Sequence, residues 1–138
     1  MSKLGRYSAQ RRKVVDLGTT ATTIATTSCG TEFLVSQNGT ANIEHTLPTV
    51  AAAGAGWWCA FTLSTAVANG DADVTITAEG AIIQGVEAGD SSNAFASRTS
   101  IVIEGNSAQV GTRVELWTDG AAWYAISLAT IDASITTA

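Results

Sequence analysis

The chain has 138 residues, enough for one domain with a substantial core and too few for two comfortable ones. Apolar residues make up 46% and charged residues only 14%, which excludes a disordered chain, since disorder needs high net charge and few aromatics. The net charge of −5 is unevenly placed: residues 1–13 hold five of the seven basic residues and no acid, and the remainder holds two against twelve acids.

Residues 1–13 therefore read as a basic arm, with Lys3, Arg6, Tyr7, Arg11, Arg12 and Lys13 as its partner-binding residues. A helix from Ser8 to Val15 would be marginal at that length. The arm is either a solvated terminus or a docking segment for something negative: nucleic acid, an acidic protein surface, or the acidic body of a neighbouring copy. Nucleic acid is disfavoured, because the arm has one aromatic residue and the body would repel phosphate. From residue 14 to 30, through the run Thr19 to Thr27, the many β-branched residues disfavour helix and predict extended chain or an edge strand.

Regular strand signals follow. Thr31 to Gln37 alternates Phe33 and Val35 against polar neighbours, and Asn38-Gly39 is a hairpin signal leading to Ala41–Leu47. Ile43, His45 and Leu47 share one face of that strand, and Pro48 ends it. Val50 to Gly56 reads as a loop. Trp57 to Leu63 places Trp57, Cys59, Phe61 and Leu63 on one side. Asn69-Gly70-Asp71 is a turn, and Val74 and Ile76 point inward on the next strand. A short strand holds Ile82 and Ile83, and Asp90-Ser91-Ser92-Asn93 is a loop. Ile101 and Ile103 mark another strand. Val114 and Leu116 lie on a further one, joined through a two-residue turn at Asp119-Gly120 to Trp123–Leu128. Ala129 to Ala138 is a last strand or a frayed tail. The sum is about eight or nine strands at the spacing of an all-β fold. The expected architecture is a single antiparallel sandwich or barrel, jelly-roll-like, over residues 30–138, with residues 1–29 forming the basic, Thr-rich N-terminal arm.

Chemistry-bearing motifs are scarce. The one histidine, His45, reads as a packed, hydrogen-bonded core residue, and no Gly-x-Ser-x-Gly elbow accompanies it. Two cysteines and one histidine fall short of a zinc site. Cys29 and Cys59 are expected to be free, buried thiols. Asp71-Ala72-Asp73 near Glu79 lacks the spacing of a calcium loop and reads as a polar turn. No metal or cofactor is expected, and the chain reads as a non-enzyme. No run is long and apolar enough for a membrane span, and residues 1–13 lack the apolar region of a signal peptide, so a cytoplasm-like place of synthesis is expected. Trp57 and Trp58 are candidate interface aromatics. Adjacent residues on a strand face opposite sides, so one belongs to the core and the other to solvent or a partner.

The order Gly30-Thr31-Glu32-Phe33-Leu34, Leu47-Pro48, Gly56-Trp57-Trp58-Cys59-Ala60-Phe61-Thr62-Leu63, Val74-Thr75-Ile76, Gly80 and Ile83-Gln84-Gly85 resembles small β-rich virion proteins of tailed bacteriophages. The run Val110 to Ile126, with its Asp-Gly turn and Trp-containing return strand, shares the resemblance, which covers residues 30–128. Most similar are capsid decoration (cement) proteins. The resemblance implies a structural protein on the capsid surface, made in a host cytoplasm, bound to the lattice of the major capsid protein and commonly a homotrimer. Head-fibre, tail or connector components share the same features. A carbohydrate-binding module using Trp57, Trp58, Trp117 or Trp123 is a further alternative.

Overall fold

The computed structural model describes residues 12–37, 39–66, 72–80, 82–89, 93–129 and 135–138. The described residues form twelve strands: β1 Lys13–Gly18, β2 Thr22–Thr23, β3 Thr31–Ser36, β4 Ile43–Thr46, β5 Trp58–Thr65, β6 Val74–Thr77, β7 Ile83–Ala88, β8 Asn93–Arg98, β9 Ser100–Ile103, β10 Arg113–Thr118, β11 Trp123–Leu128 and β12 Ile135–Thr137. A one-turn helix, α1, spans Val50–Ala53 where a plain loop is expected. It follows Pro48 and is capped by Thr49, whose hydroxyl accepts from the Ala52 N–H at 3.2 Å.

The strands make a large sheet in the order β1-β3-β5-β10-β11-β7-β8 and a small one in the order β12-β9-β6-β4-β2. Their inner faces pack together, so the fold is an all-β sandwich; no closed barrel forms among the described residues. Strand directions depart from the antiparallel expectation. From β1 to β6 the chain alternates between the sheets, so β1, β3 and β5 run parallel in one and β2, β4 and β6 parallel in the other. The second half returns antiparallel, except that β7 lies parallel to β11.

This winding explains several differences from the sequence reading. The expected hairpin between Thr31–Gln37 and Ala41–Leu47 does not form, because β3 and β4 belong to different sheets. Asp119-Gly120 does belong to a hairpin, but four residues separate the last pair, Thr118 and Trp123. Within the expected arm, the edge-strand reading of residues 14–30 holds: β1 and β2 each lie at the edge of a sheet. Val15 pairs with Phe33 and packs on the core, which fixes residues 13–18 as strand rather than helix.

The core follows the expected alternation. Phe33 and Phe61 stack at 5.3 Å, and Trp57 meets Trp123 edge-on at 5.6 Å. Val74, Ile76, Ile101 and Ile103 from the small sheet face Leu63, Val114 and Leu116 from the large one, and all are buried. His45 is wholly buried, with its ring 5.9 Å from that of Phe61. It is packed as expected, but neither ring nitrogen has a hydrogen-bond partner among the described residues. Cys59 is buried and free, and burial pushes its thiol far above the ordinary range. Cys29 is also free, but it is exposed rather than buried.

Gly85 on β7 is required by packing. A Cβ there would lie 2.1 Å from the Ala125 carbonyl oxygen and 3.0 Å from the Phe95 ring. Phe95, on β8, covers the inner side of this glycine.

Candidate functional site

The residues that carry surface chemistry gather on the outer face of the large sheet. Register places Trp58, Trp117, Tyr124 and Gln84 in one row across β5, β10, β11 and β7. The next row holds Val14, Glu32, Ala60, Glu115, Ile126 and Val86. A third holds Asp16, Leu34, Thr62, Arg113, Leu128 and Ala88. Strand alternation sends all of these away from the core.

The aromatic row is built cross-strand. Trp117 and Tyr124 are directly opposite, with ring centroids 5.9 Å apart and planes 23° apart. Tyr124 donates its hydroxyl proton to Asp119 at 3.0 Å. Asp119 also accepts from the N–H groups of Ala122 and Ala121, at 2.9 and 2.8 Å. These donors hold the Asp119 carboxyl below its ordinary range, and the same contact raises the Tyr124 hydroxyl. The turn between β10 and β11 thereby fixes one end of the row. At its other end Trp58 lies over Gly30, whose φ of +76° no ordinary side chain adopts comfortably; a Cβ there would touch the indole at 3.8 Å.

Exposed apolar side chains mark this face. Among the described residues the large apolar side chains that are exposed, between 37% and 64%, are Val14, Val86, Val110, Trp117, Ile126 and Leu128. Five stand in the rows above. The sixth, Val110, borders a cleft of about 320 Å³ that Leu128 and Ala88 also line, at the end of the same face. The outer side of the small sheet differs: it carries Glu44, Thr46, Thr75, Thr77 and Val102.

The charges at the centre of the face neutralise one another. Glu32, only 7% exposed at its side chain, takes the Arg113 guanidinium on both oxygens at 2.5 and 2.8 Å and Arg12 at 2.6 Å. Arg113 reaches Glu115 at 3.3 Å as well. Bidentate pairing to Arg113, helped by Arg12, holds the Glu32 carboxyl below its ordinary value against the opposing effect of burial.

Of the residues expected at a partner site, Arg12 is thus tied down on Glu32, and Lys13 begins β1 with its side chain exposed. Lys3, Arg6, Tyr7 and Arg11 lie outside the described residues, as do Asn38, Asn69, Gly70 and Asp71. The two tryptophans separate as alternation requires. Trp57 is a core residue and no surface aromatic: it is buried, and its indole N–H donates to the Thr26 carbonyl at 2.7 Å. Trp58 is the outward one. Asp73 acts as a loop staple, accepting from the Gly105 N–H at 2.9 Å. Sequence reasoning missed Val86, Tyr124, Ile126 and Leu128 as surface residues. The signal was present in β11, where Trp123 to Leu128 is apolar on both sides of the strand, a pattern that anticipates cover on both faces.

Compared with known proteins, the chain matches no family model, no curated protein and no solved structure. No helix among the described residues is long and apolar enough to cross a membrane.

Proposed function

We propose that this chain is a structural, non-catalytic virion protein that binds and stabilises the outer surface of a tailed-phage capsid. The observation that carries the reading is the segregation of contact chemistry. Exposed large apolar side chains sit on one sheet face, and most basic residues sit in one terminal segment. A monomer that only needed to stay soluble would have no use for such a face. The sequence resemblance over residues 30–128 supplies the particle. The basic segment supplies a route to a negative lattice, and docking at many repeated sites would offset a weak contact at each.

Arg12 pairs with Glu32 just ahead of β1, so the deletion that tests the segment ends at residue 11 and keeps that pair. Purified shells incubated with the chain lacking residues 1–11 are expected to show occupancy at least tenfold below that of the full chain at physiological salt. Equal occupancy would refute the arm mechanism. Absence of binding by the full chain to shells at any salt concentration would refute decoration itself.

A further inference from the structure

We infer that the outer face of the large sheet is covered by a second copy of this chain. The inference rests on the decoration reading only in assigning shell contact to the arm; its physical basis is separate.

Three observations select this occupant. The first is charge. Outside residues 1–13 the chain holds two basic residues against twelve acids, so copies repel one another over most of their surface. The outer side of the small sheet shows Glu44 and Glu104, with Glu104 engaged by the Thr136 hydroxyl. On the large sheet the four central charges are Arg12, Arg113, Glu32 and Glu115, which cancel one another, and the exposed Asp16 stands at the β1 edge. The centre of this face is where two acidic bodies can meet with few like charges brought together. Its ion pairs, already made within one copy, need no rearrangement when a partner arrives.

The second is size. Seven strands about 4.8 Å apart, each about six residues at roughly 3.3 Å, make a face near 34 by 20 Å, on the order of 700 Å² before side-chain relief is counted. A standard interface buries about 800 Å² on each partner, so the face is large enough for a stable assembly without recruiting another surface.

The third is composition. Aromatic rings stand at one end, at Trp58, Trp117 and Tyr124. Aliphatic side chains occupy the middle and the other end, at Val86, Ile126 and Leu128, and the paired charges flank them. Apolar, aromatic and Arg-bearing surface is what interface centres are made of. Two such sheets would pack at about 10 Å, the spacing of sheets inside a sandwich.

The test uses the full chain, 14.1 kDa, in sedimentation equilibrium at micromolar concentration. The expected mass is two protomers, since a face that packs on its own copy closes as a pair. Raising salt should strengthen association or leave it unchanged, because salt screens body-to-body repulsion and spares apolar contact. Ile126→Glu and Val86→Glu, both at exposed positions, should each weaken association at least tenfold while keeping the thermal melt of the parent. Glu44→Lys on the opposite sheet should leave the mass unchanged. A parent chain that is monomeric across the concentration range overturns the inference, as does an oligomer that neither variant dissolves. A monomer whose face takes up a hydrophobic dye only after residues 1–11 are removed also overturns it, because the arm is then the occupant. A monomer that still coats shells would refute this inference and leave decoration standing; an oligomer that dissolves in the variants but never coats shells would do the reverse.

Discussion

His45 gives the sharpest stability prediction. Its ring is wholly buried on β4 between Thr22 of β2 and Ile76 of β6, against Phe61, and none of these three can take up or release a charge near neutral pH. Desolvation holds the imidazole below its ordinary pKa of 6.5. A folded value below the unfolded one means that the neutral ring's contribution is fully present above pH 6.5. It is lost as pH falls from there toward the folded value, at a slope of at most about 1.4 kcal/mol per pH unit. Glu32 also has a depressed pKa, but its contribution is present above its ordinary 4.5 and fails only below it, so between pH 4.5 and 6.5 His45 is the one of the two whose contribution changes. His45→Leu removes the titrating group and two unpartnered nitrogens together. Each unpaired polar group costs about 1–3 kcal/mol, and a swap of similar volume costs less than about 1.5 kcal/mol in packing. The expected net gain is about 1–2 kcal/mol at pH 7.5, or roughly 3–6 °C in a chain of this size. Urea midpoints from pH 5 to 8 at fixed salt would show a falling acid limb in the parent and a flat one in His45→Leu. A variant less stable by more than about 1 kcal/mol, or one as acid-sensitive as the parent, would refute the view of His45 as a neutral, unpaired core group.

Two further predictions concern the large sheet. Gly85→Ala places a methyl against the Ala125 carbonyl oxygen, at 2.1 Å before relaxation, and should cost at least about 2 kcal/mol in a urea melt; a change below about 0.5 kcal/mol would show that β7 shifts freely on β11. Glu32→Gln leaves Arg113 half-buried without its bidentate partner and should cost about 2 kcal/mol at pH 7, less than a fully buried pair because Arg113 is partly exposed. The same variant should show a shallower stability decline below pH 4.5 than the parent, the part due to Asp119 remaining, checked by acid titration of the melt.

The residues made the class of fold legible and hid the path of the chain. Inward alternation at Phe33, Val35, Cys59, Phe61, Val74, Ile76, Val114 and Leu116 is a local property, and each of these side chains is buried. Strand partnership is not local. An Asn-Gly pair in sequence predicts a turn, but whether the chain comes back beside β3 or goes to the other sheet depends on what already flanks β3. Those flanks are β1 and β5, and β5 lies more than twenty residues further on. β8 went unseen because its exposed Asn93, Ala94, Ala96 and Ser97 show no apolar period; its one inward anchor, Phe95, acts by covering Gly85. The candidate face was half legible. Trp58 followed from adjacency to Trp57, and the stacking of Trp117 on Tyr124 needed the β10–β11 register.

That register also shows why the face cannot be assigned to either half of the chain. β5 belongs to the parallel winding, and β10 and β11 belong to the antiparallel return. The aromatic row exists because the return strands lie down beside β5. The Glu32–Arg113 pair makes the same junction, joining residues 81 apart in sequence, and Arg12 brings the start of the chain onto it. The base of the basic segment, the paired charges and the apolar rows are thus held by one set of cross-strand contacts. A change that loosens β10 from β5 should weaken all three together, whereas a change on the outer side of the small sheet, at Glu44 or Thr75, should leave them intact.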